Sequence, residues 1–203
     1  METVVTGGTI AALAYLVGSI PSAYLVGRRV AGIDIRVAGE GNVGARNAYH
    51  VVGPMWGVAV FLMDVTKGGV VGLALRDRPT WQLTLGGIAV VAGHAFPIWL
   101  GFVGGKGVAT AGGFGIALLL PAAAIGGIGA GATFLITRRF LPTVIVAIVA
   151  SFVAAALIGG HTGTMAIVVT LFALTGLKRA VDEPRMRRIE EATGWNRATG
   201  GTH

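Results

Sequence analysis

Cysteine is absent from the 203 residues, so no disulfide framework, thiolate metal site or thiol nucleophile can be built. Charge is almost as scarce, with Asp, Glu, Lys and Arg making up 12% of the chain against 54% hydrophobic residues. So few charges do not keep a globule of this size in solution, and lipid becomes the natural solvent. No H-E-x-x-H, paired histidine or carboxylate cluster is present, so neither a metal nor another cofactor is expected. There is no G-x-S-x-G elbow. No histidine has an aspartate five positions on, since Met55, Trp99 and Ala166 follow His50, His94 and His161 at that distance. A basic leader with a small-residue cleavage site is also lacking, because Met1-Glu2-Thr3 runs directly into apolar sequence; the first apolar segment is expected to be retained.

What the chain does contain is apolar runs rich in its 34 glycines. Within such runs small residues let helices approach closely in lipid. A crossing needs roughly 20 apolar residues, and seven candidates emerge, at about 4–27, 48–75, 81–100, two halves of 107–137 split near Pro121, 141–159 and 162–177. The fold expected is therefore all-α and polytopic, with seven transmembrane helices as one domain over 1–178. A basic tail, 179–203, is expected to be helical on the surface. Of the 16 lysines and arginines, only Arg76 and Arg78 fall on one side of these crossings and Lys67 lies within one. All others, Arg197 included, fall on the opposite side, so the positive-inside bias predicts an outside N-terminus and a cytoplasmic C-terminus. The net charge of +7 is scattered among apolar segments rather than striped, which disfavours nucleic acid and favours an anionic leaflet. The two halves share no motif or paired broken helices, which argues against an inverted-repeat transporter.

Two segments carry polar chemistry. The first, from Asp34 to Asn47, alternates Gly39, Gly41 and Gly44 with Arg36, Glu40, Asn42, Arg46 and Asn47. Glycine admits positive φ and lets N–H groups converge on an anion, while the arginines and asparagines donate. The second runs from Gly93-His94 to Gly104-Gly105-Lys106-Gly107, then opens a helix toward Thr110. A glycine turn at a helix N-terminus with a lysine suits phosphate, although the spacing is not that of a Walker A loop. By itself Gly-Gly-Lys-Gly equally describes a basic cytoplasmic turn. Asp64 and Lys67, three apart inside an apolar run, share a helix face and can neutralise each other or serve a function.

The ordered set Gly18-Ser19-Ile20-Pro21-Ser22, Asp34-Ile35-Arg36, Gly41-Asn42-Val43-Gly44-Ala45-Arg46-Asn47, Asp64-Val65-Thr66-Lys67-Gly68, His94-Ala95-Phe96-Pro97 and Gly104-Gly105-Lys106-Gly107-Val108-Ala109-Thr110 resembles the acyl-phosphate-dependent glycerol-3-phosphate acyltransferase family, PlsY. The resemblance implies a multi-pass enzyme of the bacterial inner membrane, active at its cytoplasmic face and expected to work as a monomer. It implies transfer of a fatty acyl group from acyl phosphate to sn-glycerol 3-phosphate. Lys106, the glycines 41, 44, 104, 105 and 107, Arg36, Arg46 and Thr110 are then expected around the substrates. Asn42 and Asn47 are expected to orient the glycerol hydroxyls or the developing oxyanion, Asp64 and Lys67 to orient neighbouring groups, and His94 to assist. Proton acceptance is open to Glu40, His94 or the substrate's own phosphate. Glu40 stands where the family has serine, and Arg46 where it has threonine; pairing of Glu40 with Arg36 or Arg46 is the expected compensation. The family's C-terminal histidine and asparagine are missing from Lys178-Arg179-Ala180-Val181-Asp182-Glu183-Pro184-Arg185. A retargeted or non-catalytic relative, or a small transporter, is the alternative.

Overall fold

The computed structural model describes residues 2–159, 162–196 and 201–202; Gly160 and His161 of an expected turn, and Arg197 of the expected cytoplasmic set, lie outside them. Among the described residues α-helices dominate: α1 (Glu2–Gly18), α2 (Ser22–Val26), α3 (Ala45–Val51), α4 (Pro54–Leu75), α5 (Thr80–Ala95), α6 (Val108–Leu118), α7 (Leu120–Thr137), α8 (Phe140–Ile158) and α9 (Thr162–Thr193). A minimal antiparallel pairing of Trp195–Asn196 with Gly201–Thr202 follows α9. Five helical stretches are long and apolar enough to cross a membrane: Thr6–Ala31, Pro54–Leu75, Thr80–Leu100, Leu120–Thr137 and Thr162–Thr193. Val108–Leu118 and Pro142–Ile158 are shorter apolar helices.

Several boundaries differ from the sequence reading, each for a local reason. The second run does not begin its long helix at Ala48. Gly53 at φ +135° turns the chain, Pro54 takes the first helical position, and residues 45–51 form the separate α3 packed on α4. α5 stops at Ala95 rather than Leu100, because a residue before proline is pushed from helical geometry, here Phe96 before Pro97. The 107–137 run divides at Leu119, one residue before the helix that carries Pro121 in its first turn. The largest difference is α9, which runs unbroken through residue 178 to Thr193 with Pro184 inside it. Thirty-two residues at a rise of ~1.5 Å make about 48 Å, more than the ~30 Å hydrocarbon thickness. Its polar last third therefore extends past any bilayer that its apolar part spans.

Two glycine crossings set the frame of the site. A Cβ on Gly68 would overlap the Thr110 carbonyl oxygen, and one on Gly113 that of Val65, so α4 and α6 touch backbone to backbone. Gly18 and Gly93 stand in the same relation to Val90 and Tyr15, which locks α1 to α5. Phe114, Leu171 and Val90 fill the space between these pairs, all fully buried. The first crossing brings Lys67 beside α6, and the second brings His94 to the end of α1. In contrast, α7 and α8 pack mainly on each other and leave Leu135, Ile136 and Leu157 exposed, a surface suited to lipid.

Candidate active site

The first loop is organised from inside by Asn47. Its amide oxygen accepts from the Glu40 N–H at 3.1 Å, and its amide nitrogen donates to the carbonyls of Ile35 (3.1 Å), Ala38 (2.9 Å) and Asn42 (3.0 Å). Gly39 and Gly41, at φ +58° and +66°, make the two reversals that bring these groups to one fully buried side chain. Asn47→Ala strands them, at ~1–3 kcal/mol per buried group left unpaired. Faster hydrogen exchange at the Glu40 amide, with a drop in activity, is the expected result; unchanged exchange would show that the loop holds itself by other means.

Arg36 braces the loop from its edge. It forms a bidentate pair with Asp34, at 2.7 Å for the shortest contact, and donates to the Leu100 carbonyl at 3.3 Å. The hydrogen-bonded guanidinium holds the Asp34 carboxyl below its usual value near 3.8, and the same bond raises the pKa of Arg36. A carboxyl depressed on folding contributes stability that is fully present above its unfolded pKa and is lost as pH falls through the lower folded value. Proteolysis or exchange at residues 34–38 should therefore accelerate with acidification below about 4 in the native protein. Asp34→Asn should show the looser loop already at neutral pH and no further acid response.

The second segment closes onto the first. The Gly105 N–H donates to the His94 carbonyl at 3.1 Å, and a Cβ on Gly105 would collide with the His94 ring and, at 2.5 Å, with the Val43 carbonyl oxygen. Gly107, at φ +86°, starts α6. Lys106 Nζ lies 3.8 Å and Arg46 Nη1 3.9 Å from Glu40 Oε2, so two cations from different segments face one buried carboxylate. The expected compensation of Glu40 is thus by Arg46, joined by Lys106; Arg36 pairs with Asp34 instead. Beneath them Lys67 and Asp64 pair at 2.9 Å, His94 Nδ1 lies 3.6 Å from Asp64 Oδ1, and Lys67 also donates to the Ile20 carbonyl at 3.1 Å. A small cleft beside Lys67 and His94 is also lined by Ser22, Val43 and Pro97.

Buried polar atoms lacking hydrogen-bond partners gather in this region: Glu40 Oε1, Asn42 Oδ1 and the Thr110 hydroxyl among them. Buried polar groups are normally satisfied, so such a concentration marks a place built for something else to bind.

The site list drawn from the sequence omitted the end of α9. Lys178 is buried, paired with Asp182, its Nζ 4.9 Å from the Phe96 ring centroid. Arg185 donates to the Gly41 carbonyl at 3.2 Å, and the Thr193 hydroxyl to that of Gly39 at 3.3 Å. The available signal was a Lys-Asp pair four residues apart, directly after an apolar run.

Fold and site together define an all-helical membrane protein whose buried charges converge where two glycine-rich segments meet. The chain belongs to the glycerol-3-phosphate acyltransferase family, whose sequence profile matches residues 8–185. Glycerol-3-phosphate acyltransferase 4 of Dehalococcoides mccartyi (strain ATCC BAA-2266 / KCTC 15142 / 195) is 38% identical over 185 residues, 86% of this chain and 96% of that protein. Glycerol-3-phosphate acyltransferase 5 of the same organism is 41% identical over 144 residues, 67% of this chain but 59% of its own length. The match to the Desulforudis audaxviator (strain MP104C) enzyme, 41% identical, likewise spans 57% of that protein and 56% of this chain. Among solved structures, the glycerol 3-phosphate form of PlsY (YgiH), an integral membrane glycerol 3-phosphate acyltransferase, superposes with a TM-score of 0.74 at 31% identity, covering 90% of this chain and 92% of that one. Its lysophosphatidic acid form gives 0.72 at 30% identity, with the same coverage.

Proposed function

We propose that this protein transfers a fatty acyl group from acyl phosphate to the 1-hydroxyl of sn-glycerol 3-phosphate, releasing lysophosphatidate and inorganic phosphate. The observation that carries this reading is the convergence of Lys106 and Arg46 beside a buried loop with unpartnered polar atoms, in a chain of this family. The glycerol 3-phosphate and lysophosphatidic acid forms of the structural neighbour support the acceptor and product.

The transfer is direct. No cysteine exists, so no thioester intermediate can form, and acyl phosphate already carries a good leaving group. The acceptor oxygen attacks the acyl carbon, the bond to phosphate breaks, and phosphate leaves with the electron pair. Positioning and charge stabilisation then supply the acceleration. Lys106 and Arg46 hold phosphate, with Gly105 fixing the second segment against His94 and Gly41 and Gly44 giving the loop its shape. Asn42 and the Thr110 hydroxyl orient the reactants, and Asp64 with Lys67 sets the His94 ring. Arg36 and Asn47, expected at the substrate, are given bracing roles instead, because Asp34, the Leu100 carbonyl and the loop's own carbonyls already occupy their donors.

The topology belongs to the same proposal. α1, α4, α5, α6, α7, α8 and α9 make seven crossings, with α6 short because α4, α5 and α9 surround it. The N-terminus lies outside and the site at the cytoplasmic face of a bacterial inner membrane, which places the lysine- and arginine-rich loops inside. One chain supplies every group named, consistent with a monomer. Vesicles holding the purified protein should convert acyl phosphate and glycerol 3-phosphate to lysophosphatidate and phosphate in equal amounts. Solute flux without acyl product would overturn the reading in favour of transport.

A further inference from the structure

The geometry points to Glu40 as the residue that receives the acceptor hydroxyl and takes up its proton, a role that rests on the acyl-transfer reading above. Its side chain is 4% exposed, and Oε1 has no hydrogen-bond partner. A buried carboxylate oxygen without a donor is costly, so its persistence needs a cause. The backbone around it is pinned: the Glu40 N–H to Asn47, the Gly39 carbonyl to Thr193, and the Gly41 carbonyl to Arg185. These bonds fix the backbone from which the Glu40 side chain projects.

The chemistry of Oε1 selects the group it would accept. A carboxylate only accepts, and phosphate oxygens at neutral pH chiefly accept as well, so Oε1 is matched by a hydroxyl rather than by phosphate. Two residues along the same loop, Asn42 Oδ1 is a second buried acceptor without a partner. Two empty acceptors on one loop suit the neighbouring hydroxyls of a polyol. Oε2, by contrast, faces Lys106 and Arg46 at 3.8 and 3.9 Å, beyond direct hydrogen-bond length, so these cations orient the carboxylate and stay close enough to meet phosphate oxygens. A polyol phosphate thereby finds its hydroxyls at Oε1 and Asn42 and its phosphate at the cations. The rival base, His94, has Nδ1 3.6 Å from Asp64 and presents Nε2 to Gly105, so its ring is packed between α4 and the second segment.

In the step itself, the acceptor O–H bond breaks and its proton passes to Oε1 as the oxygen forms the ester bond to the acyl carbon. The bond from that carbon to phosphate breaks with its electron pair on phosphate. Protonated Glu40 returns the proton to the departing phosphate or to water. The charged and titratable groups facing Glu40 are Lys106 before α6, Arg46 and His50 of α3, and Arg185 of α9 through the Gly41 carbonyl.

Glu40→Gln keeps the shape and an accepting oxygen but takes no proton. Its kcat should fall about 10²-fold or more, the low end of general-base effects, while KM for glycerol 3-phosphate moves only a few-fold. A kcat within threefold of wild type, or a change confined to KM, would overturn the assignment and leave Glu40 as a counter-charge only. If Glu40→Gln does not fold, Glu40→Asp must exceed Glu40→Ser in kcat by at least tenfold; equal rates would be equally fatal. Wild-type protein making no lysophosphatidate would instead defeat the acyl-transfer reading, so the two failures are distinguishable.

Discussion

Lys106→Ala lowers acyl transfer by about 10²–10³-fold, the usual consequence of removing one preorganised group from a site of charge stabilisation. Its ammonium is the one cation that the turn before α6 brings to the loop, and it reaches the loop at Glu40. Two causes of the loss are separable. If Lys106 served only to neutralise Glu40, the same substitution in a Glu40→Gln background would cost nothing further. If it holds phosphate, the double variant loses affinity for glycerol 3-phosphate beyond Glu40→Gln alone, as direct titration of the acceptor can measure. Undiminished activity in Lys106→Ala would remove the phosphate cradle altogether.

Gly68→Val has the largest expected effect on stability. The added Cβ falls on the Thr110 carbonyl oxygen, and because the obstruction is backbone no rotamer relieves it. α4 and α6 must separate, and the reciprocal contact of Gly113 with Val65 opens with them. Overpacking within side chains costs ~1–3 kcal/mol, and a backbone obstruction costs at least the upper end of that range. The damage also reaches the site, since Lys67 precedes the glycine and Thr110 is the residue struck. Thermal unfolding in detergent should show a fall of several degrees or no folded protein. Gly112→Ala, on the same stretch of α6 but with open space around its Cβ, should behave as wild type. Equal losses at Gly68 and Gly112 would mean that the crossing is not what holds these helices.

The helices were legible because apolar runs of crossing length are a one-dimensional signal, and Pro121 marks a break read from the sequence; those at Gly53-Pro54 and Pro97 are imposed just as locally but were read through as continuous runs. The meeting of Glu40, Arg46 and Lys106 was legible only in part. The residue types and glycine spacing suited anions, and opposite charges suggested that Glu40 would pair with Arg36 or Arg46, but Asp34 captures Arg36 two residues away. Asn47 illustrates the limit differently. Its residue type fits substrate binding and loop bracing equally, and the four hydrogen bonds on which the proposed bracing role rests are to backbone groups at separated positions. The end of α9 was hidden by its polarity. Asp182 reads as a tail residue, yet mutual neutralisation with Lys178 lets both be buried, and Ile189 packs the helix onto Gly41 of the loop through a contact that no local pattern encodes.

Hydrogen–deuterium exchange with and without glycerol 3-phosphate tests most directly whether the two distant segments form one acceptor site. The amides of 39–47 and of 104–110 should gain protection together, at the same ligand concentration, with α7 and α8 unaffected. Protection confined to one of the two segments, or appearing only elsewhere, would contradict a shared site.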